Sequence, residues 1–487
     1  MYLPKRFLEF IPASIVWITL IGAISLSFIV PVWVIYFIII FDLLWFFRVV
    51  YFVFYLTTSW YRFKKTEKTD WSKKLQEVNY SRIYHLIFLP TVNESVDVIR
   101  RTLNAVLKSA YDPGKFIIVL AGEERAGEQF KVRAQTIMQE YHGKFKKILI
   151  TVHPKDVVGE IIGKGSNLNY SGRQVKKYID QEGIPYEKII VSSFDVDTTV
   201  HEQYYSYLTY LYCTHPNPTR SSYQPIALYS NTIWDAEAPV RIAAFGTTFW
   251  LLSELARPER LFTFSSHSMS FKMLVDVGFW ENDIVSEDSR IFLQGFFHYH
   301  GDYEVTPMYL PVSMDAVYGE NYWKALIALY KQQRRWAWGV EHFPYMIKRF
   351  REDNLIPWQK KVKYLWNHME GMYTWATAPI LIFVLGWLPL MVVSTEPNAS
   401  VLVQNAPRTL EILMQLAMIG VFASAILSLT MLPHPPEEKR KWHWLGMILQ
   451  WILLPVTFVV FGAFPAIDAQ TRLLLGKYLG FNVTEKK

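Results

Sequence analysis

Ile189-Ile190-Val191-Ser192-Ser193-Phe194-Asp195-Val196-Asp197 is a compact apolar run that ends on two carboxylates one residue apart. Three similar runs precede it, at 83–89, 116–120 and 148–152, most of them rich in Ile and Val. Between them, 96–110, 129–141 and 167–179 carry apolar residues at helical spacing. Short apolar strands alternating with helices predict a largely parallel sheet covered on both faces. Ligands of such sheets bind beyond the carboxyl ends of the strands. Asp195 and Asp197 follow the fourth strand directly, at that edge.

Working outward, the pattern loses its regularity after Pro216, Pro218 and Pro225. A strand-like 226–229, a helix-like 238–256, the segment 262–271, a helix after Glu287 and a strand-like 305–310 complete what reads as one mixed α/β domain. The chain has no internal repeat and no low-complexity linker.

Both ends of the chain have another character. Of its 487 residues 51% are apolar and only 19% charged, and the apolar excess gathers at the termini. The runs 11–30 and 31–55 each reach the roughly 20 residues that cross a bilayer as a helix. The first exceeds the ~7–15 apolar residues of a signal-peptide core, and a second run follows at once, so an anchored hairpin is expected. Asp42 lies inside the second run, where a carboxylate must face protein or water. Further candidate spans lie at 373–394, 410–432 and 442–464.

Arg62, Lys64, Lys65, Lys68, Lys73 and Lys74 follow the hairpin as a cytoplasmic flank would beside anionic lipid. A juxtamembrane cluster of this kind argues against a nucleic-acid partner. Lys5 and Arg6 hold the N-terminus inside, the loop with Lys439, Arg440 and Lys441 reads as cytoplasmic, and 395–408 reads as external. Five crossings would leave the C-terminus outside, whereas 468–487 looks like a cytosolic amphipathic tail. A re-entrant segment broken at Pro455 or Pro465 would reconcile the two. Cys213 is the sole cysteine, which rules out an intrachain disulfide. The expected division is 1–60 membrane hairpin, 61–320 α/β domain, 321–370 interfacial helices, 371–466 membrane helices and 467–487 tail. Within 322–345, Trp323, Tyr330, Trp336 and Trp338 interleave with Lys324, Lys331, Arg334 and Arg335, which suits the headgroup zone.

Several clusters carry chemistry. A D-x-D at a strand end can grip a divalent metal and through it a diphosphate, although acidic turns after strands are common. Glu287-Asp288 opens a helix, where the dipole alone favours carboxylates; its functional reading makes Asp288 a general base. Gly163-Lys164-Gly165-Ser166-Asn167-Leu168-Asn169 offers backbone N–H groups and a lysine to phosphate just before a helix. Pro90-Thr91-Val92-Asn93-Glu94 ends the first strand, and Glu94 there suits either a ribose or a helix cap. Gln332-Gln333-Arg334-Arg335-Trp336 combines a basic pair with an indole. His298 and His300 lack a cysteine or third histidine nearby, which argues against zinc.

In this order, over residues 83–336 and the flanking spans, these motifs resemble the membrane-embedded family-2 glycosyltransferases, the group of cellulose, chitin and hyaluronan synthases. The resemblance implies a GT-A-like α/β fold, with Thr91, Glu94, Glu123, Lys164, Asp195, Gln332 and Arg335 on the nucleotide donor. It implies a divalent cation, Mg or Mn, on Asp197 and Asp195, catalysis by Asp288 with Glu287, and an acceptor sugar stacked on Trp336. The implied reaction is inverting transfer from a nucleotide diphosphate sugar, with UDP expected, to a growing β-linked polysaccharide. The catalytic domain would be cytoplasmic on an integral protein of the plasma membrane or its equivalent, and accessory membrane subunits would fit. Transfer to a lipid-linked acceptor is the alternative reaction, and a non-catalytic membrane-anchored nucleotide-sugar scaffold the alternative class. The family's Asp pair at the second strand is replaced by Leu120-Ala121-Gly122-Glu123-Glu124, so the base-contacting residue here would be a glutamate. Phe481-Asn482-Val483-Thr484-Glu485-Lys486 is similar to the gating loop of cellulose synthases.

Overall fold

Alternation of apolar side chains along the strands decides how the sheet is covered. The computed structural model describes residues 4–393, 401–433 and 442–480. In β1 (Tyr84–Pro90), Leu86 and Phe88 point into one core while Ile87 and Leu89 point into the other. β2 (Phe116–Glu123) repeats the division, with Ile117 and Val119 on one face and Ile118 and Leu120 on the opposite one. All eight side chains are buried, each stabilising the fold by about 1.5–3 kcal/mol relative to exposure. Only a sheet covered on both sides can use strands of this kind.

With β3 (Lys147–His153), β4 (Ile189–Ser193), β5 (Thr199–Val200), β6 (Ser221–Leu228), β7 (His267–Ser270) and β8 (Glu304–Ser313), the sheet runs β3-β2-β1-β4-β7-β6-β8-β5. The first four neighbours are parallel, β7 is antiparallel to β4 and β6, and β6 pairs in parallel with β8. This is the expected mixed, mainly parallel α/β sheet with flanking helices. A register shift between Pro225 and Ile226 falls where β6 and β8 bring three prolines together, Pro225, Pro307 and Pro311; proline cannot donate to a ladder, so pairing yields there.

The helices follow their local signals. Ser95 accepts from the N–H of Val98 to start Val96–Leu107. Gly183, at φ 62°, ends Lys164–Glu182 with the left-handed turn that glycine adopts without strain. That helix starts three residues earlier than its apolar spacing suggests. Lys164, Gly165 and Ser166 form its first turn instead of a loop before it, because Ser166 Oγ bonds to the carbonyls of Ile161 and Asn282 and anchors the turn. The expected apolar segment 262–271 is strand only at His267–Ser270; Ser266 has φ 62°, which breaks extended geometry just before it.

Among the described residues, Lys5–Ile29, Pro31–Glu67, Gln404–Leu427 and Trp444–Leu475 are long and apolar enough to cross a membrane. The pair Trp358–Phe383 and Leu385–Val393, bent by 48°, would make a fifth crossing if it is one span. Trp444–Leu475 is interrupted by a tighter turn at Gln450–Leu453 and a wider one at Val459–Ala463, next to Pro455 and Pro465. Trp444 packs on Trp234 near one end, and Asp468 accepts from Arg334 near the other. Arg6, at the start of the first helix, donates to the carbonyls of Leu473 and Leu474 at 3.0 and 2.8 Å, so the two ends of the described chain meet. Residues 395–400, the basic triplet 439–441 and the 481–486 motif lie outside the described residues.

Close approach of the Lys164–Glu182 helix to its neighbour depends on glycine. A Cβ at Gly172 would stand 2.5 Å from Phe279 Cδ1, inside van der Waals contact. Gly172→Ala is expected to destabilise the domain by about 1–3 kcal/mol, read as a lower unfolding midpoint in detergent.

Candidate active site

Three separated pieces of sequence converge on one ammonium group. Lys164 Nζ lies 3.0 Å from Asp195 Oδ1, 3.0 Å from both carboxylate oxygens of Asp288, and 3.6 Å from Glu287 Oε1. The turn that follows β4 supplies Asp195, the first turn of the Lys164–Glu182 helix supplies the lysine, and the first turn of the Glu287–His298 helix supplies the acidic pair. Side-chain exposure separates their roles. Lys164 and Glu287 are buried at 7% and 4%, while Asp195 at 31% and Asp288 at 22% face the cleft.

Burial opposes the charge on Lys164, yet Asp195, Asp288 and Glu287 outweigh it and hold the ammonium well above its ordinary pKa. Glu287 moves the other way for a carboxyl. Burial, then the neighbouring Asp288, push it up to about 8, and the charges of Lys164 and Arg335 only partly offset this. Burial and Asp288 both bias the Glu287 carboxyl toward its protonated form. Gly165 permits the whole approach: a Cβ there would meet the Glu281 carbonyl at 3.0 Å and Glu287 Cβ at 3.3 Å.

The D-x-D carboxylates differ. Asp195 Oδ2 accepts from Ser265 Oγ at 2.7 Å, at the cleft wall. Asp197 is fully buried behind it, and its Oδ2 accepts from the backbone N–H of Asp315 at 2.8 Å. Asn231 bonds to the Asp197 carbonyl at 3.0 Å and holds the same turn against β8. Two hard carboxylates suit Mg or Mn, which leave positions open for phosphate oxygens and water. Among the described residues, no group of three or more His, Cys, Asp or Glu could hold a metal unaided.

Other expected donor residues sit at the same sheet edge but are engaged locally. Thr91 is buried with its hydroxyl on the Leu89 carbonyl, and Glu94 Oε2 accepts from the Val92 N–H at 2.7 Å, closing its own turn. Glu123, at the end of β2, is paired with Arg125 through both carboxylate oxygens. Gln332 is buried on the Tyr322–Ala337 helix, whose Asn321 cap accepts from Lys324 N–H. Arg335 lies near enough to act on the charges of Glu287 and Tyr229. Trp336 faces Tyr229 with ring centroids 5.7 Å apart.

Three participants were not legible beforehand. Burial, then the nearby carboxylates, keeps the Tyr229 phenol protonated beside the cleft. His267 lies on β7 with Nδ1 2.8 Å from the Phe264 carbonyl and 3.9 Å from Asp288 Oδ1, and burial lowers its pKa although Asp288 opposes this. Thr263 donates to the Asp288 carbonyl. All three lie in the long aromatic stretch 214–277, whose periodicity marks no site.

No known family model and no curated protein matches the chain. Among solved structures it is similar to the mannosyltransferase PcManGT from Pyrobaculum calidifontis in complex with GDP-Man and Mn2+. Identity is 16%, with 87% of this chain and 99% of that chain covered, at a TM-score of 0.45. It is also similar to S. aureus TarS 1-349 in complex with UDP-GlcNAc, at 12% identity, 72% and 91% coverage and a TM-score of 0.36. At this level of likeness neither structure tells what the chain binds.

The raised Glu287 pKa has a consequence for stability. Its ordinary value is 4.5, so between 4.5 and about 8 the folded state binds a proton more tightly than the unfolded chain. This contribution is fully present below 4.5 and is lost as pH rises through about 8. Replacing Glu287 by Gln is expected to flatten the fall of the unfolding midpoint across that window, with the variant gaining on the wild type toward pH 8. Parallel unfolding curves for the two proteins would contradict the assignment.

Proposed function

We propose that the chain is an integral-membrane, inverting glycosyltransferase of the family-2 type, using a nucleotide diphosphate sugar with UDP as the expected nucleotide. The observation that carries this reading is the meeting of Lys164 with Asp195, Asp288 and Glu287 at the carboxyl edge of the sheet, beside the Trp336–Tyr229 aromatic pair. A base, a cation for a diphosphate and an aromatic platform for a sugar are then within one cleft.

Asp288 takes the proton of the acceptor hydroxyl as its oxygen attacks the anomeric carbon. The bond from that carbon to the diphosphate oxygen breaks, and the configuration inverts because attack and departure occur on opposite faces. Lys164 exchanges its contact with Asp288 for the diphosphate, freeing the base when donor enters, and Arg335 adds positive charge from the interface helix. A divalent cation held by Asp195 and Asp197 together with the diphosphate would neutralise the leaving group without proton transfer. Glu287, biased toward its protonated form by burial and by Asp288, limits negative charge beside the base. Trp336 stacks on the acceptor sugar.

A growing β-linked polysaccharide is one acceptor in this reading. Transfer to a lipid-linked acceptor is the alternative, because few crossings are present among the described residues to build a secretion channel from one chain. We read Trp444–Leu475 as lying along the membrane face, because both of its ends touch the α/β domain or its interface helix. With Trp358–Phe383 and Leu385–Val393 counted as one span, that leaves four crossings and puts both termini on the side of the catalytic domain. Tags at the N- and C-terminus are accordingly expected to become protease-accessible from the same side of sealed vesicles. Opposite accessibility would restore the fifth crossing.

The deciding experiment is nucleotide release by detergent-purified protein against UDP- and GDP-sugars, with Mn and with chelator. Metal-dependent release from one donor is expected, falling about 10²-fold or more in Asp288→Asn while nucleotide affinity stays within about threefold. Donor binding with no release from any sugar, in the presence of lipid and oligosaccharide acceptors, would instead support the scaffold reading.

A further inference from the structure

The acidic pair that opens the Glu287–His298 helix is flanked by two serines, and neither caps the helix. Ser286 precedes the helix without a side-chain cap bond; its hydroxyl donates to Glu341 Oε1 at 2.7 Å. Ser289 Oγ lies 2.7 Å from His342 Nε2 and 3.3 Å from the Ser286 carbonyl. Consecutive residues, Glu341 and His342, thus grip the pair from both sides. They stand five and six positions after Trp336, joined to it through the tight turn Trp338–Glu341.

Proton positions along this chain of bonds follow from the donors. Arg290 reaches His342 Nδ1 with both Nε and Nη2 at 3.3 Å. A guanidinium has no lone pair to offer, so Nδ1 must accept and the ring proton must sit on Nε2. Nε2–H then donates to Ser289 Oγ, and the Ser289 hydroxyl donates on to the Ser286 carbonyl. Every bond points the same way, from Arg290 through His342 and Ser289 to the backbone just before Glu287. Arg290 is itself fixed by Glu281 Oε2 at 2.6 Å and by the Tyr345 ring, 3.7 Å below its guanidinium, while Tyr345 OH donates to Glu281. His342 is 2% exposed, so water does not compete for these bonds.

We infer that His342 is a positioning residue: it sets the orientation of the base Asp288 relative to the acceptor platform at Trp336, through Ser289 and the first helical turn. The inference rests on the transferase reading above. Its physical content is registration between two elements. The base rides on the α/β domain and the platform rides on the interface helix, and a hydrogen-bonded chain with one allowed direction ties them at a fixed offset. Small errors in that offset weaken attack by the acceptor hydroxyl more than they weaken donor binding, since Lys164 and the D-x-D turn, which hold the donor, are not members of this hydrogen-bonded chain.

Three variants test this. His342→Leu removes both ring nitrogens, His342→Gln keeps one donor and one acceptor, and Ser289→Ala removes the partner alone. For His342→Leu and Ser289→Ala, kcat for transfer is expected to fall about tenfold or more, with donor KM and nucleotide affinity within about twofold. Donor hydrolysis should rise relative to transfer, and His342→Gln should recover most of the rate. Unchanged kcat in both Leu and Ala variants, equal losses in donor affinity and kcat, or a Gln variant as impaired as Leu would overturn the inference. If His342→Leu does not fold, Ser289→Ala decides alone. Asp288→Asn separates the two levels: wild-type transfer by that variant removes the base and the function with it. A dead Asp288→Asn beside fully active His342→Leu and Ser289→Ala removes only the role of His342.

Discussion

The buried ammonium of Lys164 is the interaction on which the site depends. Taking a lone charge out of water costs several kcal/mol even after relaxation, and here three carboxyl groups from two other elements offset that cost. The arrangement is mutual. Without the lysine, Asp195 and Asp288 would face each other as like charges in a poorly solvated cleft; without them, the lysine would be an uncompensated cation. The strand end, the helix start and the acidic turn are thereby held in register by charge as well as by packing.

Fold and site meet at the first turn of the Lys164–Glu182 helix. Its glycines let the backbone approach Glu281 and Glu287 closely, and its polar side chains tie it to Ala121, Ile161 and Asn282 through Asn167 and Ser166. Both sheet faces are buried, so the strands have little freedom to shift, and the carboxyl edge they define is rigid. In our reading the cleft places a proton acceptor and a leaving group on opposite faces of one carbon, and a rigid frame suits that task.

The long apolar helices are tied into the same frame. The Tyr322–Ala337 helix carries Gln332, Arg335 and Trp336 toward the cleft, while Arg334 on the same helix pairs with Asp468 near the C-terminus. Arg6 ties the end of that terminal segment back to the first membrane helix. An acceptor arriving along the membrane would meet a surface assembled from the beginning, middle and end of the chain, and in our reading the Glu341–His342 clamp relays its position to the base.

Strand–helix alternation, the acidic strand end and the apolar termini were legible in the residues themselves, because burial periodicity and hydropathy are local properties. β1 to β4 and the helices between them therefore fall within a few residues of their expected limits. The convergence on Lys164 was not legible, since Asp195 and Asp288 are 93 positions apart in sequence and only the β4–β7 pairing and the approach at Gly165 bring them together. His267, Tyr229, Ser289 and His342 were invisible for the same reason: each is an ordinary residue until the fold sets it against a carboxylate, an arginine or, for Ser289, an imidazole. The same holds for the C-terminal apolar run. Hydropathy marks it as long enough to cross, but the contacts that hold both its ends against one body are long-range, and only tertiary structure could supply them.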